Sequence, residues 1–394
     1  MSEKRKNLIL PVLAFLLGVV LAAAVTFIVL RQTEPAAQPE TASAPETAAQ
    51  PETALQQQPD NAASFPSWNT DSAALAALTA FVADVTDESG SGYLAPEDRI
   101  AVFDMDGTIL CEKAPVYFDW CMTMYRVLED PSYHASEVER AAMQEIRSHA
   151  YADGSLFVPE TLTKEDMVAS AFAGMTPEAF RAYTLAFADQ TPVAGFEGMT
   201  YSQSFYKPMI EVIDYLRANG FDVWIVSACE REVARALGSR LGIRPDHVVA
   251  TDVVYTASAR GEKDPDKYNM GRDETILLGA PLGAECTQSS KPAAIAREIG
   301  SRPVLAFGNS TGDYSMLNYA QSNPDHRGMG FFVVCDDTER EYGNDEKAAG
   351  YYSQVESQGW TPISMKNDWK TIYGEEVVKT SLPGGEEESL PDAA

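Results

Sequence analysis

The chain has 394 residues, of which 58 are acidic and 30 basic, giving a formal net charge of −28. That length supports a substantial buried core, and the acidic excess argues against nucleic acid or an anionic membrane surface as partner. The five cysteines (Cys111, Cys121, Cys229, Cys286, Cys335) form no CxxC pair and the four histidines (His134, His149, His247, His326) are scattered, so a zinc site is not expected. An odd cysteine count leaves at least one free thiol in a monomer. Buried free thiols are expected, with a Cys111–Cys121 bridge as the alternative.

In chain order, the first feature is an apolar run from Asn7 to Leu30, preceded by Lys4, Arg5 and Lys6 and closed by Arg31. About 20 apolar residues cross a bilayer as a helix. The run predicts an N-terminal membrane anchor over residues 1–31, with the basic cluster cytoplasmic and the rest extracytoplasmic. Cleavage near Ala22–Ala24 would instead give a secreted protein. Residues 32–66, rich in Pro, Ala, Glu, Gln and Thr, read as a disordered tether. Leu75, Leu78, Phe81, Val82 and Val85 recur at helical spacing and predict a helix over Asp71–Val85. Ile100–Phe103 reads as a buried strand ending at Asp104.

Between that strand and the next lies a long stretch without comparable strand signal. Met143, Ile146, Met167, Val168, Phe172, Phe180, Tyr183 and Phe187 predict helices within it. Then follow a helix over Pro208–Asn219, a strand over Phe221–Val226, a helix over Pro292–Ile299, and strands over Pro303–Phe307 and Phe331–Cys335. Strands alternating with helices predict an α/β fold with a parallel sheet. The expected division is a core over residues 67–110 and 208–380, a mainly helical cap over 111–207, and an acidic disordered tail over 381–394.

Four short elements fall at strand ends or helix starts, where open α/β sheets bind ligands. In Asp104-Met105-Asp106-Gly107-Thr108, two carboxylates two residues apart can face one pocket, one attacking and one handling a proton. A calcium loop is excluded, because the glycine stands fourth and Pro115 occupies the twelfth position. Ser227 ends a strand with the Ala228 N–H after it, a pairing that can hold a phosphate oxygen. Lys291 precedes Pro292 at a helix start, where anions are favoured. Gly308-Asn309-Ser310-Thr311-Gly312-Asp313 offers a close backbone approach and oxygen donors for a hard cation.

With these elements in this order, Ile100–Asp368 resembles the haloacid dehalogenase (HAD) superfamily, and most of all its phosphoserine phosphatase and phosphorylcholine phosphatase-like branch. The resemblance implies a Rossmann-like parallel sheet with a mainly helical cap inserted after the first motif strand. It further implies Mg²⁺-dependent hydrolysis of a small phosphorylated metabolite through an aspartyl phosphate. Asp104 would attack phosphorus, Asp106 would act as acid and base, and Thr108 would orient Asp106. Ser227, Ala228 and Lys291 would hold the phosphoryl group. Asp104 and Asp106 would bind metal together with Asn309 or Asp313. Asn309 stands where the family commonly has an aspartate, which keeps a carbonyl ligand and loses a charge. Asp106 argues against the dehalogenase branch. A phosphomutase and an inactive phosphate-binding or interaction module are the alternatives. For the substrate, Glu112 among Tyr117, Phe118, Trp120 and Tyr125 suggests a cationic head group or the amino group of a phosphoserine, with a packed cap core as the alternative for the aromatics. Arg231 suggests a substrate carboxylate, with a salt-bridged helix arginine as the alternative.

Overall fold

The computed structural model describes residues 64–159 and 168–383. The expected anchor, most of the tether, Met167 and all but the first residues of the acidic tail lie outside these. The strands among the described residues are β1 (Ile100–Phe103), β2 (Phe196–Glu197), β3 (Asp222–Glu230), β4 (Val248–Thr251), β5 (Val253–Ala257), β6 (Ile276–Leu282), β7 (Leu305–Gly308), β8 (Met329–Val334), β9 (Thr361–Ser364) and β10 (Val378–Lys379).

Six of them form one parallel sheet in the order β4-β3-β1-β7-β8-β9. The central strands are apolar throughout because both faces are covered; every residue of β1 and β7 is buried. Phe103, Phe307 and Phe331 are register partners across β1, β7 and β8. Their rings stack at centroid separations of 4.2 and 5.0 Å. This ladder brings the carboxyl ends of β1 and β7 to one level, and the first residues beyond it are Asp104 and Gly308.

Helices cover the sheet as the periodicity predicts, with shifts at their ends. The first runs over Ala73–Thr86, with Ser72 rather than Asp71 accepting the cap bond from Leu75 N. The helix before β3 spans Lys207–Ala218, and the one before β7 spans Ser290–Glu298, so Lys291 lies inside its first turn. Chain packing begins earlier than the expected tether allows: Phe65 is buried and its ring lies 4.9 Å from that of Tyr215.

Between β1 and β3 the chain forms helices over Phe118–Leu128, Glu137–Asp153 and Pro177–Gln190. A second excursion, absent from the sequence expectation, is the antiparallel hairpin of β5 and β6. It docks on the helical segment through paired backbone bonds, Gly174 N to Leu278 O at 2.8 Å and Leu278 N to Met175 O at 2.9 Å. Glu232, buried at the start of the helix Arg231–Arg240, joins all three parts. It accepts from Arg181 of the helical segment, from Arg235 at 2.6 Å and from Tyr255 of the hairpin at 2.5 Å.

The expectation of a single-pass membrane protein is corrected. No helix among the described residues is long and apolar enough to cross a membrane. The run Asn7–Leu30 on which that expectation rested lies outside them. The anchor, the membrane partner and the membrane localisation are therefore withdrawn. All five cysteines are free thiols, so the Cys111–Cys121 bridge does not form.

Arg231 is also corrected. Its guanidinium donates to Asp252 and to Glu298 at 2.7 Å, and to the Val248 and Ala250 carbonyls of β4, each at 3.1 Å. It pins β4 to the helix Ser290–Glu298 and is consumed by structure. Arg231→Ala should lower stability by about 2 kcal/mol, because it strands two strand carbonyls and breaks up an ion-pair cluster built on a buried guanidinium. A thermal melt should fall by several degrees while KM for a phosphate ester stays unchanged; a raised KM with an unchanged melt would restore the substrate role.

Candidate active site

Asp104 leaves β1 with its N–H bonded to Phe307 O at 2.9 Å, fixing it beside β7. The next residues form a tight turn in which Thr108, Ile109 and Leu110 N–H groups all point to the Met105 carbonyl. That turn places Asp106 next to Asp104 on the wall of a cavity of about 490 Å³. Gly107 has φ +81°, and a Cβ there would fall 2.0 Å from a terminal atom of the Asn309 amide. Only glycine permits both the left-handed backbone and this approach.

Lys291 reaches the floor of the cavity from its helix. Its ammonium donates to Asp104 Oδ1 at 2.5 Å, Asp313 Oδ1 at 2.6 Å and Val226 O at 2.8 Å, which uses all three N–H bonds. Lys291 is 1% exposed and Asp313 1%, so the charges meet in a low-dielectric setting. Burial pushes the Asp104 carboxyl up, the charge of Asp313 adds to this, and Lys291 partly offsets both; the value is raised to about 7. Burial works against the Lys291 charge, but Asp104 and Asp313 outweigh it and hold the ammonium protonated.

Asp313 is saturated. Its Oδ2 accepts from the N–H groups of Asn309 and Ser310, both at 3.0 Å, and from Ser310 Oγ at 3.2 Å. Asn309 instead turns its side chain toward the first motif. One terminal atom of its amide lies 3.2 Å from Asp104 Oδ2, 3.1 Å from the Asp106 carbonyl oxygen and 3.2 Å from Thr108 Oγ1. As N–H it donates to those oxygens. Turned over, it presents a third hard oxygen at a spacing matching adjacent ligands of an octahedral Mg²⁺, about 3 Å apart for bonds near 2.1 Å. The donor chemistry fits a hard divalent cation. The charge balance agrees: Asp104, Asp106 and Asp313 supply three carboxylates and Lys291 one ammonium. No group of three or more His, Cys, Asp or Glu side chains suited to a metal occurs among the described residues. Lys291 stands between Asp104 and Asp313, so a cation here needs the amide and backbone oxygens.

A sequence profile of the haloacid dehalogenase-like hydrolases matches residues 101–318. The chain belongs to this family. No curated protein matches it significantly. Among solved structures, it is similar to a conserved protein of unknown function from Anaerococcus prevotii at 13% identity and TM-score 0.47, covering 75% of this chain and 94% of that one. It is also similar to a HAD family hydrolase from Salmonella enterica serovar Typhi at 14% identity and TM-score 0.35, covering 69% of each chain. A third is a phosphoserine phosphohydrolase-like protein from Francisella tularensis, at 14% identity and TM-score 0.33, with 60% of this chain and 87% of that one covered. These likenesses are too distant to carry an argument about this hydrolase's substrate.

Asp104, Asp106, Lys291, Asp313, Glu112, Tyr117 and Ala228 all line the cavity. Thr108 sits beneath it, with Oγ1 3.4 Å from Asp104 Oδ2 and 3.2 Å from the Asn309 amide. It thus touches Asp104 and Asn309. Ser227 lies one step back: β3 continues past it to Glu230 through a bulge, and its Oγ accepts from Cys229 N at 3.0 Å. The wall there is Ala228 and Cys229. Trp120 does not reach the cavity; it is 1% exposed in the core of the helix Phe118–Leu128. Missed by the sequence reading were Lys113, Asp119, Glu285, Thr287, Gln288, Lys347 and Tyr351, which also line it. Lys113 had a signal, its place beside Glu112; the others lie on segments whose approach depends on tertiary folding.

Gly107→Ala should push Asn309 away from Asp104 by about an ångström. Misplacement on that scale costs on the order of 10²-fold in rate. Steady-state kinetics should show that loss in kcat, with only a modest fall in melting temperature; full activity would mean that Asn309 has no part in the site.

Proposed function

We propose that this hydrolase is a phosphomonoesterase that works through an aspartyl phosphate on Asp104, with Mg²⁺ as its cofactor. The observation that carries the reading is the Asp104–Lys291 pair: a buried carboxylate aimed into a cavity, with a fixed ammonium at 2.5 Å and a second carboxylate, Asp106, on the same wall. Phosphoryl transfer depends mainly on alignment and charge neutralisation. An anionic nucleophile approaching an anionic ester needs fixed positive charge, and Lys291 is held where it cannot turn away.

Asp104 attacks phosphorus through its carboxylate, and Lys291 holds that carboxylate in place and offsets its charge. Asp106 gives its proton to the departing alkoxide, then takes one from the water that cleaves the acyl phosphate. Thr108 and Asn309 orient Asp104, Asp313 fixes Lys291 and the Asn309 turn, and the Ala228–Cys229 stretch closes the phosphoryl pocket over the shoulder formed by Ser227. Asp104, the Asp106 carbonyl and Asn309 are the groups that would hold Mg²⁺, which supplies charge neutralisation of the phosphoryl oxygens. Asp313, already saturated, acts through Lys291. A cavity of this size suits a small metabolite. Tyr117 donates weakly to Glu112 at 3.5 Å, and this pair favours a phosphoserine- or phosphocholine-like head group.

With p-nitrophenyl phosphate, phosphate release should require a divalent cation and stop on chelation. Asp104→Asn should lower kcat by at least about 10³-fold, and Asp106→Asn by about 10²–10⁴-fold. Metal-independent release, or an Asp104→Asn protein of undiminished rate, would refute the mechanism.

A further inference from the structure

A second cavity of about 340 Å³ adjoins the first; Glu112, Lys113, Lys347 and Tyr351 line both. Three lysines and no arginine occur in the two linings among the described residues. Lys291 has no N–H left to give. Lys113 and Lys347 remain, brought together from distant parts of the chain: one just after the first motif, the other in the helix Asp345–Gln358.

Neither forms an ion pair among the described residues, although the chain is rich in carboxylates and other lysines find them, as Lys207 does with Glu376 at 3.3 Å and Lys267 with Asp264 at 2.9 Å. Each lies instead over a tyrosine ring that also faces a cavity, Lys113 over Tyr117 at 5.5 Å and Lys347 over Tyr351 at 5.4 Å. Burial opposes the Lys347 charge, but Glu112 and its other neighbours outweigh this and keep it protonated. The remaining charged groups around both cavities outside the reaction centre are acidic: Glu112, Asp119 and Glu285 in one, Asp153 and Glu341 in the other. Glu112 also stands on the rim that the two cavities share, but there two ammonium groups face one carboxylate, so an anion outside the reaction centre meets net positive charge on that rim.

We propose that Lys113 and Lys347 form an anion subsite holding a second anionic group of the substrate, a carboxylate or a further phosphate, beside the phosphoryl group that reacts. This rests on the phosphomonoesterase reading for its meaning and narrows the substrate class within it to the phosphoserine-like side, esters whose alcohol part carries an anionic group, over phosphocholine-like esters, which carry none. The subsite itself is a binding property and is tested by binding.

The probes are 3-phosphoglycerate and glycerol 3-phosphate, which differ by one carboxylate. Calorimetric titration into the Asp104→Asn protein, which does not turn them over, should show 3-phosphoglycerate bound about tenfold or more tightly. Lys113→Met and Lys347→Met in that background should each erase most of the preference, and Lys347→Arg should retain it. Equal binding of the two esters, or variants that weaken both alike, would overturn the subsite. Phosphate release by the wild type without this preference would leave the proposed reaction standing and the subsite refuted. The preference without phosphate release would do the reverse.

Discussion

A carboxylate that must attack a phosphate ester carries the wrong charge for its target, and this site answers with one immobile ammonium. Lys291 is buried, spends each N–H on a fixed acceptor, and touches both Asp104 and Asp313. A buried ion of either sign without partners would cost several kcal/mol, so the cluster hinges on Lys291. Removing Lys291 would leave two carboxylates uncompensated, whereas removing either carboxylate leaves the other still paired with the ammonium. The same arrangement leaves Asp104 poised with a carboxyl raised to about 7, chiefly because burial and Asp313 disfavour its ionised form. A divalent cation on the Asp104, Asp106 and Asn309 oxygens would complete the balance that Lys291 begins.

Several levels of structure converge to make that contact. The apolar runs of β1 and β7 force both strands into the middle of the sheet. The Phe103–Phe307–Phe331 ladder sets their register, and the register brings the first and fourth motifs to one edge. Gly107 then lets the two turns close to a distance no side chain would allow. Gln288, with φ 47° and its N–H on Gly312 O at 2.8 Å, ties the fourth motif to the start of the lysine helix. Glu232 clasps the helical segment and the hairpin to the core on the other side of the cleft.

The sequence was most legible where chemistry and backbone demand the same residues. Asp104, Asp106, Gly107, Lys291 and Asn309 stand out because strand ends and tight turns restrict what can occupy them. The central strands were legible from unbroken apolar runs. The sheet edges were not: β9 contains Pro362, which is tolerated only because an edge strand can leave one N–H position unused. β5 (Val253–Ala257) and β6 (Ile276–Leu282) do carry strand-type runs, but the long polar stretch between them hides their pairing. Arg231 and Trp120 were misread because an arginine or tryptophan near a motif looks the same whether it faces ligand or core; only tertiary partners distinguish them. Lys347 was invisible for the opposite reason, since it arrives from a helix more than two hundred residues beyond the first motif.

The central claim is that Asp104 becomes covalently phosphorylated. Acid quenching of the enzyme during turnover of p-nitrophenyl phosphate with Mg²⁺, followed by peptide mass spectrometry, examines this directly. The account predicts a hydroxylamine-labile phosphoryl group on the peptide bearing Asp104, absent from the Asp104→Asn protein. Steady phosphate release with the phosphoryl group trapped on another residue would contradict it.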